Sequence, residues 1–256
     1  MNVGNSVRKA IDDWEANELD AAMLHACNAI DGTAKKVYPK LGSNARFTQL
    51  LRDNYQILGP MGFPGINLVE TRFPIKVERP KALGGKPDLA DVIYGIHRCS
   101  HGHGDELPGG FALIPDARGQ AGYTRVKIER GAIQLSDRII FGLIAVAVMS
   151  PENRGQSVPD GYHLTFGTAA EKLMINDWWG RAADFPAMAA KEPMPSGHDG
   201  FRRVDERCLA RHCPTTRSSR RTRRAGRSDR PIPRTIHVRC RLSRRAVLAA
   251  LSADPD

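Results

Sequence analysis

The sequence predicts a mainly α-helical fold, with a small β-hairpin and further helices added after the first four. Two patterns lead to this fold class. Apolar residues recur every three to four positions through most of the first hundred residues, which is the spacing of amphipathic helices. Strand-like alternation occurs only in short stretches such as "RVKIERGAIQL", residues 125–135. At 256 residues, the chain is long enough for one or two domains with a sizeable core.

Three amphipathic helices are predicted before residue 60. Val7 and Ile11 share one face of the first helix. Pro39 ends the second helix, because proline cannot continue one. Ser43 or Asn44 is expected to cap the third. The predicted spans are residues 5–17, 18–38 and 43–58.

A fourth helix is predicted after a Gly- and Pro-rich insertion at residues 59–86, which contains at most a short strand. Pro87 and Asp88 suit the first turn of this helix. Gly102 and Gly104 are expected to fray its end. The buried stripe of the fourth helix consists of Leu89, Val92, Ile93 and Ile96.

The chain beyond residue 110 is predicted to elaborate the helical core. The hairpin turns near Arg130 and Gly131, and Ser136 caps a strongly apolar fifth helix. A short strand and a last helix follow. The predicted spans are 125–135 for the hairpin, 137–150 for the fifth helix, 162–167 for the strand and 168–185 for the last helix. Residues 1–110 are therefore expected to form the helical core and residues 111–190 to pack on it as a C-terminal elaboration.

The net charge of +10 comes from the end of the chain. Residues 199–256 contain sixteen arginines, no lysine and six acids, whereas residues 1–198 carry 22 basic and 22 acidic side chains. Residues 195–256 have too little apolar surface to fold alone, so we expect a disordered tail. Three interpretations stay open: an arm that binds nucleic acid, a tail without a role, and translation of a GC-rich gene in a shifted frame.

Cysteine usage and hydropathy predict a cytoplasmic protein without a membrane partner. The five cysteines form no disulfide or metal-ligand pattern, which favours a reducing compartment. The longest apolar run, residues 139–149, is shorter than the roughly 20 residues of a membrane span. The first residues lack the apolar region of a secretory signal.

Residues 93–107, "IYGIHRCSHGHGDEL", hold the densest group of chemically active side chains. His97 and His101 are four positions apart and share a helical face, as in zinc-binding helices. The glutamate that zincins place after the first histidine is replaced by Arg98, which disfavours a dication. A metal-dependent hydrolase built on His97 and His101 is therefore kept only as an alternative.

Two other interpretations of this segment need no metal. Histidines at a frayed helix end can cap carbonyl groups and face water without any function. Alternatively, Arg98 and His103 can cleave a phosphodiester if both line one cleft, although five helical positions separate them by about 140°. The arginine would hold the phosphate, and the histidine would exchange a proton with a ribose 2′-hydroxyl or the leaving oxygen.

The segment "RCSHGHGDEL" resembles the R-x4-6-H motif of the HEPN superfamily, whose members carry it at the end of their last core helix. The residues that fall on this motif are Arg98, Cys99, Ser100, His103 and Leu107. The upstream segments "AAMLHACNAIDGTAKKVYP" and "RFTQLLRDNY" are similar to the early helices of the same superfamily. The resemblance covers roughly residues 5–107.

The resemblance implies a HEPN-like bundle of four to five helices that forms a homodimer, with the two motif helices meeting across the twofold axis. It further implies a metal-independent endoribonuclease of toxin–antitoxin or phage-defence type. RNA would be the substrate, an antitoxin protein a further partner, and no cofactor would be needed. Arg98 and His103 would be catalytic. A catalytically inactive nucleotide-binding or scaffold protein is the alternative within the superfamily.

Cys99, His101 and Glu106 are expected to support the two catalytic residues. Active members often carry Asn, Asp or His after the arginine, and a thiol is a weaker hydrogen-bonding partner than these. His101 replaces an apolar residue and would supply a second titrating group. Gly102 replaces another apolar residue and is expected to loosen the turn that carries His103.

Overall fold

The computed structural model describes residues 2–116, 125–129, 131–166, 171–191 and 235–237, and it is mainly helical. This confirms the predicted fold class. Arg-rich residues 195–234 and 238–256 lie outside the described part, so the expected disorder of the tail stays a prediction. The helices are α1 Val3–Glu15, α2 Leu19–Val37, α3 Ser43–Asp53, α4 Tyr55–Gly62, α5 Leu89–Val92, α6 Cys99–His103, α7 Arg138–Met149, α8 Ile175–Trp178 and α9 Phe185–Ala189. No helix among the described residues combines the length and hydropathy needed to cross a membrane.

The described strands form two small antiparallel sheets. They are β1 Arg125–Glu129, β2 Ala132–Gln134, β3 His163–Phe166, β4 Glu171–Met174 and β5 Thr235–His237. β1 pairs with β2 in the predicted hairpin, with Ile128 opposite Ile133, and β5 lies on the other edge of β1. β3 pairs with β4, with Leu164 opposite Leu173.

Helix α7 lies in the middle of the hydrophobic core. Ten of its twelve residues are buried, and it packs against α1, α2 and α4. The approach of α4 is close because a Cβ on Gly142 would lie 3.1 Å from the Cα of Gly62. One continuous core contains α7 and the helices that precede residue 110, so residues 111–190 contribute a central element of the bundle.

The third predicted helix is wrong as a single element because it divides at Asn54. Asn54 leaves the helical conformation, with φ −117° and ψ 24°, and its side-chain amide donates to the carbonyl oxygen of Leu50. α4 then continues through Pro60 into the stretch predicted to be an insertion. The predicted caps at Ser43 and Asn44 are also wrong, since Gly42 occupies the N-cap position without a side-chain hydrogen bond.

The last predicted helix is wrong at residues 171–174. Residues 171–174 form β4, which buries Leu173 and exposes its neighbours on either side. This alternation suits pairing with β3, and cross-strand packing overrides the helical propensity of "EKLM". Short helices follow only after Met174, and Phe185 of α9 packs edge-on against Phe166 of β3.

The fourth predicted helix is present as one continuous helical stretch at residues 89–103, which we call the motif helix. Asp88 caps it, because its carboxylate accepts from the backbone N–H of Asp91. A π-helical turn, Ile93–Arg98, joins α5 to α6. π-turns insert an extra residue into a helix and are frequent at functional sites. Gly104, with a positive φ of 75°, ends the motif helix.

Arg52 of α3 anchors the start of the motif helix. Its Nε and Nη2 donate to Asp88 at 2.8 and 3.0 Å, and Nη2 also lies 2.9 Å from Asp91. Asp91 additionally accepts from the backbone N–H groups of Lys81 and Ala82. These buried ion pairs fix the insertion and the motif helix against α3.

Candidate functional site

Arg98, the last residue of the π-turn, extends towards α2 and forms an ion pair there. Its Nε and Nη2 donate to Asp31 Oδ2 at 2.9 and 2.8 Å. The Arg98 side chain is 28% exposed and that of Asp31 is 15% exposed, so the pair sits at the surface of the bundle. Burial lowers the pKa of Arg98, but the contact with Asp31 outweighs it and the net direction is upward. The guanidinium also lies 5.8 Å from the centre of the Tyr94 ring.

Gly102 gives the Arg98 guanidinium the room to lie along the last turn of α6. A Cβ at position 102 would approach Arg98 Nη1 to 3.1 Å, which is tighter than an ordinary van der Waals contact. His103 is the next residue and the last of α6. The side chain of His103 lies outside the described part of the structure. The backbone nevertheless places the arginine head and the residue that carries the second motif group on the same helical turn.

Cys99, predicted to support Arg98, is partly exposed and keeps its proton at neutral pH. Burial, together with Glu78 and Asp31, raises the pKa of its thiol, and Arg98 only partly opposes this. Cys27 on α2 is fully buried, and burial raises its pKa as well. Since the thiolate is the reactive form of cysteine, these two side chains favour packing over nucleophilic chemistry.

His97 is sealed inside the protein. It has no exposed surface, and neither ring nitrogen has a hydrogen-bond partner among the described residues. Burial, with a smaller contribution from His101, lowers the pKa of His97 to about 3, so the ring is neutral at pH 7. A metal ion bound to this ring would lie inside the protein, out of reach of any substrate in solution. Within the described ranges, no group of three or more His, Cys, Asp or Glu side chains is arranged to hold a metal ion.

His101 lies between His97 and the surface. The two rings are 6.0 Å apart, as expected for positions i and i+4. The side chain of His101 is only 7% exposed, and its Nε2 lies 3.9 Å from Asp20 Oδ1, which is too long for a hydrogen bond. Burial lowers the pKa of His101 and Asp20 partly opposes this.

An open groove of about 290 Å³ runs between the start of α2 and the segment that follows α6. We call it the acidic groove because three carboxylates line it. Glu106, predicted to support catalysis, lines this groove. The lining residues are Asp20, Ala21, Leu24, His101, Gly104, Asp105, Glu106 and Leu107.

Two acidic residues of α2 that lie near the motif helix, Asp31 and Asp20, were not predicted from the sequence. One signal for Asp31 exists in the sequence. It follows Ile30 directly and lies four positions after Cys27, on a helix whose other residues nearby are mostly apolar and buried. A carboxylate on such a face requires a partner, because burying an unpaired charge is costly. Asp20 carries no comparable signal, since its side chain is 74% exposed.

Fold and site together define a mainly helical protein in which an arginine, paired with a carboxylate, lies near the end of a π-containing helix. The chain belongs to the Rv1289 family, whose model matches residues 2–200. It is similar to "Uncharacterized protein Rv1289" and "Uncharacterized protein MT1327" of Mycobacterium tuberculosis, and to "Uncharacterized protein Mb1320" of Mycobacterium bovis. Each is 43% identical over 180 residues, which cover 70% of this chain and 84% of the relative. No solved structure matches the chain.

Proposed function

We propose that this protein is a HEPN-like, metal-independent endoribonuclease in which Arg98 and His103 form the active site. The observation that carries the proposal is the position of the Arg98 guanidinium over Gly102, on the turn that leads into His103. Because the guanidinium of Arg98 reaches the turn that carries His103, the two side chains can act on the same phosphate group.

Asp31 supports this role by orienting the arginine. Nε and Nη2 donate to Asp31, which leaves Nη1 close to Gly102 and without a hydrogen-bond acceptor among the described residues. Nη1 can therefore donate to a non-bridging phosphate oxygen while the carboxylate holds the guanidinium plane. The bound phosphate gains negative charge in the transition state, which the arginine stabilises.

His103 would supply the proton transfers. An imidazole changes its charge near neutral pH, so it can accept the proton of the ribose 2′-hydroxyl. The 2′-oxygen then attacks phosphorus, the bond to the 5′-oxygen breaks, and that oxygen takes up a proton. The products are a 2′,3′-cyclic phosphate and a 5′-hydroxyl end, and no metal ion takes part.

The test measures cleavage of end-labelled RNA by the full chain in excess EDTA. The variants Arg98→Ala and His103→Ala are each expected to lower the cleavage rate by about 10²-fold or more. Arg181→Ala is a matched control, because Arg181 forms a half-exposed ion pair with Asp184 outside the motif helix. Cleavage that chelation abolishes, or that Arg98→Ala leaves unchanged, would contradict the proposal.

A catalytically inactive nucleotide-binding or scaffold protein is the second candidate, and two observations favour it. Asp31 neutralises the charge of Arg98. The acidic groove adds further carboxylates beside His101 of the motif helix. Both features weaken attraction of RNA phosphates. Nucleotide binding by the full chain without any RNA cleavage would identify this second function.

The biological setting that we propose is a cytoplasmic homodimer of toxin–antitoxin or defence type, neutralised by an antitoxin protein. Pairing two motif helices would bring two copies of Arg98 and two copies of His103 to one cleft. Light scattering of the purified full chain tests the dimer. Growth arrest on expression, lost with His103→Ala, tests the toxin role.

A further inference from the structure

The acidic groove combines features that point to a ligand of a particular charge. Asp20, Asp105 and Glu106 line it, and no lysine or arginine of the described chain does so. Carboxylates that line one groove give it a negative potential, which favours a positively charged ligand. The two carboxylates after α6 are exposed, so they can adjust to a bound group.

His101 is the second and independent observation. Its side chain is more than nine-tenths buried and lines the groove, and its Nε2 has no hydrogen-bond partner among the described residues. Nε2 faces Asp20, which lies at the open side of the groove. Burial lowers the pKa of His101, so the ring is neutral at pH 7 and one ring nitrogen offers a lone pair. A buried polar atom without a partner is costly, and a donor bound in the groove would satisfy it.

The walls of the groove distinguish an organic cation from a metal ion. Ala21, Leu24 and Leu107 contribute apolar surface beside the carboxylates. Apolar surface suits the methylene groups of a lysine- or arginine-like stem, whereas a bare metal ion prefers polar ligands throughout. Moreover, no three side chains of the types that ligate metals are arranged around one point in the described part of the chain.

We propose that the acidic groove binds an alkylammonium or alkylguanidinium group, with its charge beside the carboxylates that line the groove and its stem against Leu24 and Leu107. The N–H donors of the group face Asp20 Oδ1 and His101 Nε2, which lie 3.9 Å apart. The volume of about 290 Å³ is at the lower end of the range for ligand pockets, which suits one such side chain. This site is separate from the Arg98–Asp31 ion pair and does not depend on RNA cleavage.

The experiment is isothermal titration calorimetry of the full chain with arginine amide at physiological salt. Citrulline amide is the matched ligand control, since it has nearly the same shape and the same α-ammonium group but lacks the charge of the guanidinium. Arginine amide is expected to bind, and citrulline amide is expected to bind at least about tenfold more weakly. Equal binding of both ligands, or no binding of arginine amide at about 10 mM, would overturn the proposal.

Variants locate the binding to the groove. Asp20→Asn and Asp105→Asn are each expected to weaken binding of arginine amide by about fivefold, because each removes a charge-assisted contact. Glu70→Gln is the matched control, as it removes an exposed carboxylate that does not line the groove. His101→Gln keeps a hydrogen-bonding group and should bind more tightly than His101→Leu. Equal weakening by Glu70→Gln and Asp105→Asn would show only diffuse attraction and would overturn the site.

A second titration distinguishes a free small cation from an arginine of a polypeptide. The probe is a synthetic peptide with the sequence "RSSRRTRR", residues 217–224 of this chain. Binding more than about tenfold tighter than that of arginine amide, lost with Asp105→Asn, would identify polypeptide arginine as the ligand. Binding no tighter than arginine amide would identify a small cation. Both outcomes support the groove as a cation site.

Discussion

Replacing His97 by leucine is expected to stabilise the protein in mild acid. His97 is fully buried without a hydrogen bond among the described residues, and burial lowers its pKa from 6.5 to about 3. The unfolded chain therefore binds a proton at this residue below about pH 6.5, whereas the folded chain does so only near pH 3. Because the unfolded state binds more protons in this window, the free energy of unfolding falls as the pH decreases through it.

The magnitude follows from the width of the pH window. Each pH unit below 6.5 costs about 1.4 kcal/mol until the folded-state pKa is reached, so the step from pH 7 to pH 5 costs about 2 kcal/mol. His97→Leu removes this loss. Leucine also removes buried ring nitrogens that lack partners, which is worth a further gain of about 1 kcal/mol at pH 7.

The assay is urea unfolding of the wild type and of His97→Leu at pH 7 and pH 5. We expect the stability advantage of the variant to be about 2 kcal/mol larger at pH 5 than at pH 7. His163→Leu is the control for removing a histidine, since His163 lies in β3 and is only partly buried. Parallel pH dependence of the wild type and His97→Leu would refute the reasoning, because the folded protein would then protonate His97 as readily as the unfolded chain.

Two further predictions concern the stability of the helical core, one at the start of the motif helix and one between α4 and α7. Arg52→Ala should lower the free energy of unfolding by about 3 kcal/mol, because it leaves the buried carboxylates of Asp88 and Asp91 without their cation. Arg181→Ala, at a half-exposed ion pair, should cost about 0.5 kcal/mol in the same urea titration. Equal losses for the two variants would contradict the structural role of Arg52. Gly142→Val should lower the free energy of unfolding by about 2 kcal/mol, since its Cβ would lie 2.9 Å from Leu58 Cδ1. An unchanged midpoint of thermal unfolding would contradict the close packing of α4 on α7.

The sequence predicts helix existence better than helix boundaries in this protein. α1, α2, α7 and the motif helix follow from apolar spacing, because each buries one broad face against the others. The break at Asn54 could not be predicted from spacing, since the apolar pattern continues across it. The side-chain amide of Asn54 donates to the carbonyl oxygen of Leu50 and replaces the backbone hydrogen bond of a continuing helix.

The candidate site shows the same limit in another form. The motif in the sequence identifies Arg98 and His103, but Asp31, the ion-pair partner of Arg98, lies on α2, 67 residues earlier in the chain. Asp31 and Asp20 become neighbours of the motif only through packing of α2 against α6. The sequence also predicts that Gly102 loosens the site, whereas the structure shows that Gly102 leaves space for the Arg98 guanidinium. The position of the two aspartates and the role of Gly102 therefore depend on contacts that the sequence pattern does not contain.

The acidic groove and the proposed nuclease site have opposite charge requirements. RNA phosphates are repelled by Asp105 and Glu106, which lie directly after the motif helix. A cation bound in the groove would reduce this repulsion and would favour the approach of RNA. Measuring RNA binding with and without arginine amide would therefore connect the two sites.

The most direct test of the central claim is end-group analysis of RNA after incubation with the full chain in excess EDTA, with a 2′-deoxy copy of the same oligonucleotide in parallel. The account predicts fragments with 2′,3′-cyclic phosphate and 5′-hydroxyl ends from the RNA and no cleavage of the 2′-deoxy copy. Intact RNA, cleavage of both oligonucleotides, or products with 5′-phosphate ends would contradict it.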